Sequence, residues 1–269
     1  MGRLRESFAA LAAEKKKAYI GYAMAGFPAL GPDLDLARAV LESADVLELG
    51  VPFSDPIADG IVLQQCGEKA LAAGGGLARA LEMAAQLRRE TSKPIVLMSY
   101  LNPLLSGGLE TFAHRAKSSG VDGLVIPDLP PEEGLSLAPV LKGAGLDVVY
   151  LAAPTSTTRR LRAIAKAATG FIYVVSVAGV TGERKAFDAR LQGTVRELRR
   201  ASKAPLAVGF GVSSPETARE AAGLADGVVV ASTVLKAVLD APDAAAGILA
   251  ARERTVLLAA SVKGAPWPQ

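Results

Sequence analysis

Residues 206–236 read LAVGFGVSSPETAREAAGLADGVVVASTVLK. Leu206, Ala207 and Val208 make a short, unbroken apolar run. Gly209-Phe210-Gly211 follows, then Ser214-Pro215, a helical pattern over 215–223 and a second apolar run over 228–231. Serine ahead of proline reads as a helix N-cap followed by the first helical position, where proline's missing N–H costs nothing. Gly223 closes the pattern as the expected C-terminal cap. Neither apolar run alternates with polar residues, as befits strands covered on both faces. The stretch is a strand–loop–helix–strand unit, the building block of a parallel sheet.

The same unit recurs along the chain. Apolar runs occupy 19–24, 46–49, 95–99, 123–126, 148–151, 172–176, 206–208 and 228–231. Helical patterns lie between them at 33–43, 78–90, 110–119, 132–143, 157–168, 188–202 and 215–223, with Gly120 and Gly143 as further expected caps. Eight units without a low-complexity linker predict an α/β fold, a single (β/α)8 TIM barrel formed as one domain over 1–269. A doubly wound open sheet is the competitor, because periodicity does not prove closure. The gap over 50–92 holds Gly74-Gly75-Gly76 and more residues than one helix needs, so an elaborated loop and an extra helix are expected after the second strand. An extra helix is expected at the amino terminus as well.

Composition narrows the chemistry. Of 269 residues, 50% are hydrophobic and 21% charged, which supports a large core and argues against disorder. One cysteine, Cys66, excludes a disulfide framework and a thiolate zinc cluster. One histidine, His114, excludes an HExxH metal site and disfavours a Ser-His-Asp triad. Cys66 is expected to be a buried inert thiol, and His114 a surface or helix-packing residue. Carboxylates, lysines and backbone groups remain as agents. The net charge is +3, but the cations fall in short separated groups (Lys15 to Lys17, Arg88-Arg89, Arg159-Arg160, Arg199-Arg200), expected as solvated faces rather than a nucleic-acid footprint. No apolar stretch reaches membrane-spanning length. The opening MGRLRESFAALAAEKKK lacks the apolar core of a signal peptide, and a cytoplasmic location is expected.

Two features stand out. The first is LELGVPFSDPIADG at 47–60. Glu48 sits within an apolar strand near its carboxyl end, where a carboxylate must be paired, solvated at the barrel mouth or raised in pKa. An ion pair with a barrel lysine or arginine is the plain reading, but no lysine stands at a comparable strand position. Asp59 follows on a loop, where an Asx-turn or a helix N-cap is the plain alternative. Together the two acids could serve as a proton donor or acceptor and an electrostatic partner. The second feature is a set of loops after late strands: 179–182, 209–213 and 231–233. Barrel enzymes often hold phosphate there, with backbone amides and a helix amino terminus, and Ser232 adds a hydroxyl. Ordinary strand–helix turns are the alternative.

Residues 47–60 resemble the signature of the tryptophan synthase α subunit family. Further matches follow in the family's order: Pro94 to Met98 with Tyr100 and Asn102, then Ile126-Pro127-Asp128-Leu129-Pro130, Ala153-Pro154-Thr155, 176–182 and Gly209-Phe210-Gly211-Val212. The resemblance implies a lyase that cleaves indole-3-glycerol phosphate to indole and glyceraldehyde 3-phosphate. It implies that Glu48 is the acid/base acting at the indole ring carbon and that Asp59 accepts the indole N–H. It implies substrate contacts from Tyr100, Tyr173, Thr181, Gly182, Phe210, Gly211, Ala231 and Ser232, with 179–187 as a lid. Ala231 departs from a frequent family glycine. No metal or cofactor is implied for this subunit; pyridoxal phosphate is expected only in a β-subunit partner, in an α2β2 complex contacted through 52–56 and 128–131. Another phosphate-binding barrel, a regulatory subunit without activity, and a free-standing lyase are the other readings.

Overall fold

A computed structural model describes residues 2–176, 189–209 and 211–267. Eight parallel strands close into a barrel in sequence order. They are β1 (Ala18–Met24), β2 (Val46–Gly50), β3 (Ile95–Met98), β4 (Gly123–Val125), β5 (Asp147–Ala152), β6 (Ile172–Val175), β7 (Leu206–Gly209) and β8 (Gly227–Val230). β1 pairs with β8 through Ile20 and Val229, which closes the ring and removes the open-sheet alternative. Each strand lies within a residue or two of its apolar run. Strands walled by side chains inside and helices outside must be apolar on both faces, so the run itself is the signal.

The barrel floor is sealed by the expected amino-terminal helix, Arg3–Ala13. Leu4 and Phe8 are buried, and the Phe8 ring lies 5.7 Å from that of Phe171. The gap after β2 holds a loop and two helices, Ile61–Ala72 and Leu77–Arg88. Glycines let the top loops meet: Gly26 and Gly75 approach so closely that a Cβ on either would strike the other's backbone. Buried Asp33 fixes this junction. It accepts from the Gly26 and Leu34 amides at 2.9 and 2.8 Å and from Arg79 Nε at 2.8 Å.

Four expectations need correction. Gly143 lies inside the helix Pro131–Gly143; the left-handed residue is Gly145, at φ +71°, whose amide reaches the Lys142 carbonyl. Gly223 likewise lies inside Pro215–Leu224, which ends in extended Ala225 because the chain drops directly into β8. Lys17 is not solvated. It is buried, donates to the Ala225 carbonyl at 2.8 Å and stands 4.3 Å from the Trp267 ring centre. Arg88 reaches inward to Asp122 at 2.7 Å and to the Gly120 carbonyl. Ser214 caps its helix as expected, within a capping box with Thr217. Cys66 is buried, and burial pushes its thiol up to about 12. His114 is exposed on the helix Leu109–Ser118. Among the described residues no helix is long and apolar enough to cross a membrane.

At the carboxyl end of β2, a Cβ on Gly50 would overlap the Tyr22 hydroxyl. Gly50→Ala is therefore expected to overpack the barrel mouth and destabilise the chain by about 1–3 kcal/mol. A lower urea midpoint at unchanged denaturant slope is the expected reading.

Candidate active site

A cavity opens at the carboxyl ends of the strands, the face where barrel enzymes place their chemistry. Glu48 and Asp59 both line it, with Tyr22 from β1, Tyr173 from β6, Gly211 after β7, and Ala231 and Ser232 after β8. An apolar belt that includes Leu63, Met98, Val125 and Leu151 also lines it.

Glu48 points inward from β2 and is only 3% exposed. None of the described residues lining the cavity is lysine or arginine, so the ion-pair reading does not hold. Its Oε2 atom is buried without a hydrogen-bond partner among the described residues. Burial, reinforced by the nearby charge of Asp59, pushes the carboxyl up to about 8. The charged form loses its hydration and gains no cation, so the proton stays on at neutral pH.

Asp59 comes from the loop after β2. Its amide closes a turn on the Pro56 carbonyl at 3.0 Å. The following helix takes Gly60 as its N-cap, with no side-chain cap, so the Asp59 carboxylate is not spent on capping. Burial raises Asp59 to about 6, against an opposing hydrogen-bonding pull from the Tyr100 hydroxyl. Two acids thus share one cavity with separated affinities for a proton, the arrangement that divides acid from anion.

Tyr100 stands outside the cavity wall and props the loop. Its hydroxyl accepts from the Ala58 amide at 2.8 Å, and its ring stacks on Phe53 at 5.2 Å. The Leu101 amide donates to Asp128 at 3.0 Å, which ties the loops after β3 and β4 together.

Opposite the acids, Gly211 adopts φ +73°, a conformation open to glycine. Ser232 begins the helix Ser232–Leu239, whose free amides meet the cavity. The Thr233 hydroxyl donates to the Val212 carbonyl at 2.8 Å and locks the two loops together. Ala231 sits at φ −119°, a negative φ that does not demand glycine. Thr181, Gly182, Phe210 and the segment 179–187 lie outside the described residues.

Sequence reading missed Tyr22 and the apolar belt. The available signal for Tyr22 was strand parity, since it lies an even number of residues from the inward-facing end of its strand; its pairing with Glu48 is a matter of register.

The family model described as "Tryptophan synthase alpha chain" matches residues 8–262. The chain is 46% identical over 237 residues to the tryptophan synthase alpha chain of Geobacter sulfurreducens, covering 88% of this chain and 90% of that one. It is similar to the crystal structure of tryptophan synthase subunit alpha from Legionella pneumophila, with a TM-score of 0.89, 35% identity and coverage of 97% and 98%. It is also similar to a chain of tryptophan synthase from M. tuberculosis, with a TM-score of 0.88, 32% identity and coverage of 98% and 99%.

Proposed function

We propose that Glu48 and Asp59 carry the chemistry of this chain, which belongs to the tryptophan synthase alpha chain family. The reaction is the alpha reaction of tryptophan biosynthesis, the cleavage of indole-3-glycerol phosphate to indole and glyceraldehyde 3-phosphate. One observation carries the assignment: a buried carboxyl whose Oε2 has no partner among the described residues shares one apolar-walled cavity with a second acid.

In this reading Glu48 delivers its proton to the ring carbon that bears the glycerol chain. The ring loses aromaticity and positive charge develops at the indole nitrogen. Asp59, ionised, accepts the N–H and stabilises that charge in a site with little water. The Glu48 carboxylate then takes the proton of the hydroxyl on the adjacent chain carbon. The carbon–carbon bond breaks, its electrons restore the indole ring, and the aldehyde leaves. Glu48 ends protonated, ready for another turnover. The apolar belt covers the indole, while the Gly211 loop, the amides after Ala231 and the Ser232 hydroxyl hold the phosphate. These steps move only the Glu48 proton and the substrate's own hydroxyl proton, so the reading places no cofactor on this chain.

The family implies a β-subunit partner. We place the contact on 52–56 and 128–131, beside Ile57, an aliphatic side chain 84% exposed. An α2β2 assembly with pyridoxal phosphate in the β subunit, located in the cytoplasm, is the form we assign.

Supplying indole-3-glycerol phosphate to the purified chain, alone and with a tryptophan synthase beta chain, is expected to release indole. Absence of indole in both cases overturns the reading. Its pH dependence is set by the pair of acids. The value of kcat/KM is expected to rise through about pH 6 as Asp59 ionises and to fall above about 8 as Glu48 loses its proton. These limbs belong to the pair jointly, since each charge raises the cost of the other. A profile flat from pH 7 to 10 contradicts the role given to Glu48.

A further inference from the structure

We propose that Tyr22 is a positioning residue for this reaction, its hydroxyl donating to the carboxylate that Glu48 becomes between its two proton transfers. The inference rests on the assignment of Glu48 as acid and base. Tyr22 and Glu48 are register partners on β1 and β2, and both line the cavity. Gly50 lies two residues beyond Glu48 on the same face of β2, and the Tyr22 hydroxyl fills the space its missing side chain leaves. The phenol therefore runs along β2 past the Glu48 side chain rather than away from it.

The Tyr22 ring is fully buried, and its hydroxyl makes no hydrogen bond among the described residues. The hydroxyl keeps contact with the cavity, so the donor is open to a charge that forms there. Glu48 supplies the matching need. Among the described residues its Oε2 atom lacks a donor, tolerable while the group is neutral and expensive once it is charged. Burial and the charges of Asp59 and Glu48 hold the phenol well above its ordinary range, so it remains a donor throughout the working pH.

Among the described residues, the titratable groups that share the cavity with Glu48 are Tyr22 from β1, Asp59 from the loop after β2 and Tyr173 from β6. Tyr173 feels the same two carboxyl charges. Tyr100, hydrogen-bonded to Asp59, and Cys66 also act on the Tyr22 phenol, and both stay neutral at working pH. Tyr22 is thus the unengaged donor paired in register with Glu48.

The test is Tyr22→Phe in the full chain, which removes one oxygen and keeps the ring. Loss of a hydrogen bond to a charged acceptor is expected to lower kcat about tenfold with KM within about twofold. Because the bond favours the ionised form, its loss is expected to move the alkaline limb of the profile upward by about one pH unit. A carbon-13 titration of the glutamate carboxyls reads the same shift without turnover. The proposal is overturned if wild type releases indole and Tyr22→Phe matches it in kcat and in the Glu48 midpoint. It is also overturned if kcat falls while the midpoint stays put, the mark of a purely structural role. If wild type releases no indole the function fails instead, and the titration still decides whether Tyr22 bonds the Glu48 carboxylate.

Discussion

Glu48→Gln is expected to lower kcat for indole release by about 10²- to 10⁴-fold, the usual weight of a positioned acid and base. Glutamine keeps the size of the side chain and its place on β2, but it has no proton to deliver and cannot take one back. The site is otherwise left intact, so KM is expected to change little. The same substitution separates function from stability. Glu48 binds its proton up to about 8 in the folded chain against an ordinary 4.5. Below 4.5 both folded and unfolded chains hold the proton, and this contribution is fully present. As pH rises toward 8 the unfolded chain ionises while the folded one resists, and stability is lost. Glu48→Gln abolishes that loss. The variant is expected to unfold at a higher urea concentration than wild type at pH 9, with the gap narrowing toward pH 4. An enzyme weakened by its own acid is the trade expected of a strained active site.

Asp59→Asn is expected to lower kcat by about 10²- to 10³-fold, the range found when one preorganised electrostatic group is removed. Asparagine preserves the turn on Pro56 and the bond between the Ala58 amide and Tyr100, both of which use main-chain groups of the loop. It removes the negative charge from the position where the indole nitrogen becomes positive. Because Asp59 also raises Glu48, its neutralisation is expected to move the alkaline limb of the profile downward. Tyr22→Phe moves that limb in the opposite direction, so the two side chains are distinguished by sign as well as by size. Unchanged kcat in Asp59→Asn would remove the anion from the mechanism.

Much of this was legible in the sequence, for identifiable reasons. Strands covered on both faces become unbroken apolar runs, and the eight runs became the eight strands of a closed barrel. Glu48 showed itself because a carboxylate within such a run is an exception that needs a cause. Asp59 was less distinct, since aspartate and glycine are common in turns, and only the three-dimensional cavity separates it from a cap. What stayed hidden depended on register and on distant chain. Tyr22 reads as one more aromatic strand residue until β1 is set against β2. Lys17 belonged to an apparently solvated basic group until the tail brought Trp267 beneath the barrel. The bond from the Ala58 amide to the Tyr100 hydroxyl joins groups 42 residues apart in sequence, which no local pattern announces. The Gly143 and Gly223 caps failed because a glycine near a helix end is only a candidate, and the next turn's geometry chooses the residue that turns left-handed.

The measurement that bears most directly on the role of Glu48 is a carbon-13 titration of its side-chain carboxyl, assigned by its disappearance in Glu48→Gln. A midpoint near 8 is expected, with the proton in place at neutral pH. A midpoint below about 5, in the range of an ordinary glutamate, would contradict a resident proton donor and with it the division of labour between Glu48 and Asp59.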